Sequence, residues 1–535
     1  MSTSVYYKGS KLIDVSNNTK ILLTSGKYLE GDVTLIDTTS SGGDSFKSTF
    51  TLYPPNGYGT FNGLSSLYSI YYNGSLLTGS YATINAGEPI TILNNNSVQL
   101  DIKADQGSIP LLYGSSCDYY TGPIDMYLSN TNFTSKRVLE FVLSNYISSP
   151  IDFYDGFFYK CFGSSVTIPS RINKLGMNAF YNTPKLSYVY GNNVQVIGQQ
   201  CFMYNYSLVS AYFPNAVTMG SSAFARCSEL ITVSFPKVGL IEEDGFASCY
   251  SLSTVYFPKC RVIYSNAFAY CSSLKTVDFP ECKYIHSSAF YACIKLTTLS
   301  FPECISINYY AFVGCSSLST VNFPKCISIA TSAFNSCPAL TTAYFPECTL
   351  IGNSVFKACY NLSDISFPKC TSIYTSAFYN CSALTIADFP ECTSIGSYAF
   401  YSCLALTTAS FPSATYIGSS AFTYCSSLTT ASFPNATSVG SYAFYHCYSL
   451  TTASFPRATN IDSYAFRECY NLLSFYLLGS SIPALGTSAF YFTPIGGYTD
   501  STGGVYGSIF VPSSLYNQYI VATNWSLYSS RIVSV

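Results

Sequence analysis

The chain has 535 residues, enough for several domains, yet only 10% of them are charged and the net charge is −2. That balance argues against a nucleic-acid partner, because no basic stripe is present to neutralise phosphates. No apolar run approaches the ~18 residues of a membrane-spanning helix, so membrane insertion is not expected.

From the N-terminus, residues 1–25 lack a basic region followed by a long apolar core. Ile21-Leu22-Leu23 is too short for a secretory signal. A role outside a cell therefore implies release by another route, such as lysis. Residues 1–40 read as a small β attachment module, with strand patterns at Val5-Tyr6-Tyr7, Lys11–Val15 and Val33-Thr34-Leu35. This segment resembles short N-terminal modules on phage and prophage tail-associated proteins of gut bacteria. Thr38–Asp44 is rich in Ser, Thr and Gly and reads as a linker. Residues 45–112 carry strand signals at Ser48–Tyr53, Tyr68–Tyr72 and Val98–Ile102, with turns at Pro54-Pro55-Asn56-Gly57 and Asn73-Gly74, and predict a β-sandwich-like domain. Residues 113–150 form the junction. There Ser135–Leu143 reads as a helix that caps the first repeat, since a solenoid end exposes strand edge and core.

Phe-Pro then recurs every 22 residues without a slip, from Phe213-Pro214 to Phe455-Pro456. Fixed self-similarity at such a period marks a repeat array. Each unit opens on Leu, as at Leu208 and Leu428. Val, Ala, Leu or Ile stands three residues later, and Phe two after that. Apolar residues at unit positions 1, 4 and 6 predict a short strand with one buried face, ended by a Pro that has no N–H for a ladder. Ile241, Ile263 and their successors form a second apolar set, followed by pairs such as Ala223-Phe224. No unit buries these side chains alone; stacked units do, like upon like.

Of the 22 Cys, twelve follow the unit's second Phe by three (Cys227 to Cys469) and seven follow Phe-Pro by two (Cys260 to Cys392). The ligand spacing of a zinc site is missing and the chain has only two His. Neighbours within a column lie within disulfide reach by distance. However, the second column continues as Ala216, Val238, Ala414, Ala436 and Ala458. A slot that accepts Cys, Ala and Val asks for a small buried apolar group, so free core thiols and a reducing or anaerobic setting are expected.

The pattern Leu-x-x-Val-x-Phe-Pro, then Ile-Gly-x-x-Ala-Phe-x-x-Cys-x-x-Leu, resembles the BspA-type leucine-rich repeat over about residues 150–478. The resemblance implies a solenoid with a parallel sheet on one face, and a family associated with adhesion and surface recognition rather than catalysis. The expected fold is thus a β-rich repeat solenoid over 151–478, preceded by small β-domains. The repeat degrades at its ends: Gly191-Asn192 replaces Phe-Pro, and Thr183 and Asn205 replace Cys. Residues 479–535 read as a C-terminal cap, with a helix from Ser513 through Ile520 and Trp525 in its core. That cap resembles those on such repeats in prophage and gut-bacterial proteins.

No catalytic set converges. His286 and His446 stand at different unit positions, and no nucleophile with a carboxylate recurs beside them. Glu242-Glu243-Asp244 lacks the ligand spacing of a calcium loop and reads as solvated loop. An enzyme in residues 45–150 would need an acidic pair, for which Asp101, Asp105 and Asp118 are the candidates. No cofactor and no metal are expected. Unit positions 3 and 5 point outward from the strand. Position 3 is nearly constant Thr, a β-propensity and hydrogen-bonding device. Position 5 varies, and its Tyr212, Tyr256, Asp278, Asn322, Tyr344 and Asp388 are the candidate ligand-binding residues. Tyr gives large contact area at low entropy cost, and polar neighbours adapt. After the Pro, Lys and Glu mostly alternate in sign from unit to unit, a register and solubility device.

The function expected is that of a non-enzymatic binding or structural protein. Its expected setting is a phage virion, as a tail or fibre component that presents the repeats for host-receptor recognition. The alternative is a BspA-like adhesin on a bacterial cell surface. Partners would be a host-cell surface glycan or protein, other virion proteins through residues 1–112, and a further copy of the chain in a homo-oligomer.

Overall fold

The computed structural model describes residues 165–168, 172–498 and 505–535, and ahead of them strand backbones only. The chain divides into two compact units, residues 1–260 and 261–535.

In the first unit, Ser2–Tyr7, Ser10–Ser16, Val33–Asp37 and Phe46–Phe50 pair as an antiparallel sheet. Tyr68–Tyr72, Ile90–Asn94, Val98–Ala104 and Val138–Leu143 pair as another. The helix expected at Ser135–Leu143 is not formed: Val138–Leu143 is a strand. Val138, Phe141 and Val142 favour a pleated surface, and partners wait on both sides. One edge takes Val98–Ala104; the other pairs in parallel with Ser165–Thr167, the first described strand of the repeats. Apart from short strands at Ser75–Leu76, Tyr113–Gly114 and Ile124–Asp125, the other residues of the expected modules at 1–40, 45–112 and 113–150 lie outside the described ones.

The repeats form a β-solenoid of parallel ladders, as the 22-residue period predicts. The coil from Leu318 to Ala339, in the second unit, stands for the rest. Thr320–Asn322 is the first strand, with Val321 buried between two outward residues. Phe323 turns inward and Pro324 ends the strand. Ser328–Ile329 is a second, two-residue strand. A six-residue run of turns over 331–336 closes the coil. First strands pair with first strands one coil away, as Thr320 with Thr342 and Asn322 with Tyr344. Second strands do likewise, as Ser328 with Leu350.

The turn runs make a third ladder, which the sequence reading did not anticipate. Ser332, Phe334 and Ser336 donate their N–H groups to Asn353, Val355 and Lys357 carbonyls of the next coil at 2.8, 3.0 and 2.8 Å. To aim every second N–H the same way, Ser332 and Ser336 adopt φ of 58° and 59°. That conformation disfavours side chains with a Cβ and costs of the order of 1 kcal/mol or more per residue. Repeated hydrogen bonding from coil to coil holds it.

The core is columns of identical side chains. Phe312, Phe334 and Phe356 stack with centroids 5.1 and 5.6 Å apart. Phe334 also meets Phe345 edge-on at 5.9 Å. Leu318, Phe323, Cys326, Ile329, Ala333 and Cys337 complete the fully buried set of this coil. The described cysteines are free and buried.

The two cysteine columns differ, and this refines the expectation of a merely small apolar slot. Cys337 Sγ donates to Phe312 O, in the previous coil, at 3.2 Å, and Cys359, Cys381 and Cys403 repeat the bond onto Phe334, Phe356 and Phe378. Asn205, which replaces Cys in this column, makes the same bond from Nδ2 to Phe180 O at 2.9 Å. This slot selects a small donor. The second column bonds within its own coil, as Cys348 Sγ to Leu350 O at 3.2 Å, and accepts Ala at Ala414, Ala436 and Ala458.

Outside, Lys325–Glu303 and Lys369–Glu347 pair at 2.6 Å across adjacent coils. Threonine hydroxyls do bond to the preceding coil, but in a different column from the one expected. Thr371, Thr393 and Thr415 donate to the carbonyls of Thr349, Thr371 and Thr393 at 3.1–3.2 Å. The outward Thr320 and Thr408 are simply exposed.

At the C-terminus, Ser508–Val511 pairs with Ser474–Tyr476, and Ile532–Ser534 with Ser508–Val511. The helix expected from Ser513 to Ile520 is one turn, Tyr516–Tyr519. Trp525 is buried and donates Nε1–H to Pro483 O at 2.7 Å.

A candidate recognition face

The candidate residues sit at the third position of the first strands, pointing away from the core. Tyr212, Tyr256 and Tyr344 are 43%, 59% and 43% exposed. Asn322 and Asp388 are also exposed, and Asp278 is half-buried.

Backbone pairing of the first strands is not continuous. In the first unit it runs from Ser165–Thr167 through Tyr188–Tyr190 and Ser210–Tyr212 to Thr232–Ser234, and stops before Thr254–Tyr256. In the second unit it stops between Thr298–Ser300 and Thr320–Asn322, and again between Asp364–Ser366 and Ile386–Asp388. Phe279 and Phe323 donate N–H bonds to Ser300 and Tyr344 carbonyls at 3.0 Å. Phe235, Phe301, Phe367 and Phe411 make no equivalent donation to the next coil. A fourth junction, Thr408–Ser410 to Thr430–Ser432, keeps only Ser410 in register with Ser432.

Each full interruption follows a serine in the outward column: Ser234, Ser300 and Ser366. In the same three strands the inward residue, Val233, Leu299 or Ile365, is only half-buried, whereas Val321, Ala343 and Ala387 are buried. Each interrupted strand thus sets a serine hydroxyl and a partly accessible apolar side chain between longer outward residues, a notch in side-chain length. Its walls are the outward residues one coil to either side: Tyr212 and Tyr256 in the first unit, then Asp278 and Asn322, and Tyr344 and Asp388, in the second. Those walls are the six residues singled out by their variation. Asn322 and Tyr344 are register neighbours as well, back to back between their two notches.

Where aromatic residues are consecutive in this column they stack. Tyr190 lies on Tyr212 at 5.1 Å with 3° between planes, and Tyr476 on Phe510 at 4.7 Å with 14°. Ring faces at this position therefore look along the coil-to-coil direction.

The sequence reading missed a second cluster, on the turn face of the second unit. Tyr379 and Tyr401 stack at 4.7 Å, and Tyr442 and Tyr464 at 4.9 Å. Arg467 lies over the rings of Tyr445, Tyr464 and Tyr491 at 5.3–5.6 Å. Its Nε is 3.0 Å from Glu468 Oε1, while Tyr470 donates to Oε2 at 3.1 Å. His446, assigned no role from sequence, stacks on Tyr424 at 4.6 Å, with Nδ1 3.1 Å from Glu468 Oε2. Burial, aided by Arg467, holds the His446 pKa below its ordinary value despite the opposing pull of Glu468. The signal was present: from Tyr398 onward, tyrosine accumulates in the turn-run columns, which carry no strand periodicity to draw attention.

Among the described residues, burial makes the shifted thiols poor candidates for a reactive site. Burial pushes Cys348 up to about 12 and Cys392 to about 11, with Cys381 well above the ordinary value. A thiol so protonated is a poor nucleophile and ligand. Among the described residues no cluster of His, Cys, Asp and Glu could hold a metal ion.

Residues 127–500 match, in overlapping segments (127–253, 196–303, 239–347, 283–404 and 393–500), the BspA type leucine rich repeat region. No curated protein matches. Among solved structures, a leucine-rich repeat protein from Bacteroides ovatus is 17% identical, over 81% of this chain and 98% of its own, with a TM-score of 0.41. A leucine rich cell surface protein from Faecalibacterium prausnitzii is 23% identical over 69% and 93%, with a TM-score of 0.34. The pneumococcal vaccine antigen PcpA is 16% identical over 75% and 99%, with a TM-score of 0.33. The resemblance of the termini to phage tail proteins finds no support among these matches.

Proposed function

Since the chain belongs to the BspA-type leucine-rich repeat family, we propose that it is a non-enzymatic recognition protein that works at a bacterial cell surface through the outward column of its first strands. The observation that carries this reading is the coincidence of three notches with the six variable residues of that column. A stacked core fixes the backbone, so exposed Tyr, Asp and Asn are held in place before a partner arrives and less ordering entropy is lost on binding. The column offers contact area and hydrogen bonds rather than a converging acid, base and nucleophile.

This reading puts the adhesin ahead of the virion component. The family match covers the repeats that an adhesin would use, and nothing comparable ties the termini to a phage particle. Protease treatment of washed, intact producer cells tests the location. Release of the repeat region without lysis supports the proposal. Full protection until lysis, or recovery of the chain in density-banded phage particles, overturns it.

A further inference from the structure

We propose that the notches are sugar-binding subsites, each seating one pyranose ring of a neutral or amino-sugar chain, with Tyr344, Ser366 and Asp388 forming the most complete one. This rests on the reading of the outward column as the recognition surface and names the ligand class it takes.

A pyranose is a disc with a C–H face, which packs on an aromatic ring, and a hydroxyl rim. The column supplies a surface for each. Stacked pairs such as Tyr190–Tyr212 cover their own inner faces. Tyr344 is followed in register by Ser366, a side chain too short to cover a ring, so the face looking along the coils is open. Beyond the interruption stands Asp388. Two coil rises separate the Tyr344 and Asp388 backbones, roughly 10 Å at ordinary strand spacing. After the half-thickness of each wall is subtracted, the gap takes one ring on edge. Ile365 is half-buried on the floor and Ile386 is 54% exposed beside it, which adds apolar contact. The Asp388 carboxylate accepts from rim hydroxyls or an amino group, and charge makes such bonds the stronger kind.

Charge decides between sugar classes. The second unit's notches carry Asp278 and Asp388, and the outward column from Tyr212 to Ser454 holds no Lys or Arg. Uronates, sialates and sulfated chains would meet like charge. Geometry decides against a peptide added as a strand, which needs unpaired groups along a sheet edge, whereas these notches open on the sheet face. The Ser300 and Ser366 notches lie three coils apart in one unit, roughly 14 Å, a pitch that a short run of linked sugars spans. Occupying both with one chain raises the effective concentration at the second.

The test is calorimetric titration of the full chain with linear oligomers of a neutral hexose, an N-acetylhexosamine, a hexosamine and a hexuronate. Binding of at least one of the first three, with none of the hexuronate, is expected. Ser366→Tyr places in the column a residue already native to it at Tyr344, closes the notch by stacking, and should weaken binding about tenfold or more. Tyr344→Ala should do the same. Ser438→Tyr, in the second-strand ladder where Tyr416 is native, should leave both binding and melting unchanged. No binding of any neutral or amino-sugar oligomer at millimolar concentration overturns the proposal, as does equal binding of the hexuronate or unaltered affinity in a folded Ser366→Tyr. Adhesion to intact cells separates this from the parent reading. Adhesion lost in Tyr344→Ala but indifferent to periodate oxidation of target-cell sugars refutes the sugar assignment and keeps the recognition face. Absence of adhesion to any cell tested refutes the face itself.

Discussion

Replacing Phe334 with Ala perturbs the core column on which the outward face depends. Phe334 is fully buried, stacks on Phe312 at 5.1 Å and Phe356 at 5.6 Å, and meets Phe345 edge-on at 5.9 Å. Burial of about 150–250 Å² at about 25 cal/mol per Å² gives an upper figure of about 4–6 kcal/mol. Core Phe→Ala changes cost about 3–5 kcal/mol, and a column bounded by like rings on both sides has little room to collapse, so about 4 kcal/mol is expected. In a solenoid that cost is local, because each coil touches only its neighbours. Hydrogen exchange should therefore quicken in the coils carrying Phe312, Phe334 and Phe356 and stay near wild type around Trp525. Urea unfolding followed by circular dichroism should shift to lower midpoint. A loss below about 1 kcal/mol, or faster exchange spread evenly along the repeats, would refute the reasoning that stacked columns act coil by coil.

Cys337→Ala should cost about 2 kcal/mol, through lost volume and the bond to Phe312 O, whereas Cys326→Ala, in the column where Ala is native, should cost under about 1 kcal/mol; paired urea melts decide. Stability should fall at high pH: the ordinary thiol value is 9.0 while Cys392 sits at about 11 and Cys348 at about 12, so their contribution is intact below pH 9 and lost as pH rises toward 11–12. A melting temperature flat from pH 8 to about pH 11 would contradict this. A double-mutant cycle on Lys325 and Glu303 should return under about 1 kcal/mol, vanishing in salt, because both side chains remain about half exposed. Trp525→Phe should lower the stability of the C-terminal coils by about 1–3 kcal/mol in urea melts, since Pro483 O loses its donor in a buried setting.

What could be read before the structure follows from what repetition averages. The Leu, Phe, Ile and Ala-Phe columns recur often enough that their burial is legible from period alone. The outward placement of the six column residues was legible for the opposite reason, as variation inside a constant frame. Their grouping into three notches was not, because it depends on backbone pairing between coils; Ser234, Ser300 and Ser366 look no different in sequence from Ser432 or Ser454. The helix read at Ser135–Leu143 failed because a neighbouring strand edge outweighed local pattern. The donor role of Cys337 was hidden because Cys passes for a small hydrophobe, although Asn205 and Thr183 in the same column pointed to it. The turn ladder has no familiar periodicity, and with it the tyrosine cluster around Arg467 and Glu468 went unseen.

The most direct measurement is adhesion of labelled full chain to intact cells, compared between two multiple variants of equal stability. One replaces Tyr212, Tyr256, Asp278, Asn322, Tyr344 and Asp388 with Ser or Thr; the other replaces Tyr398, Tyr442 and Tyr464 on the turn face. Loss of adhesion in the first with retention in the second is the predicted result. Adhesion that survives the first variant and disappears in the second would contradict the account and move recognition to the turn face.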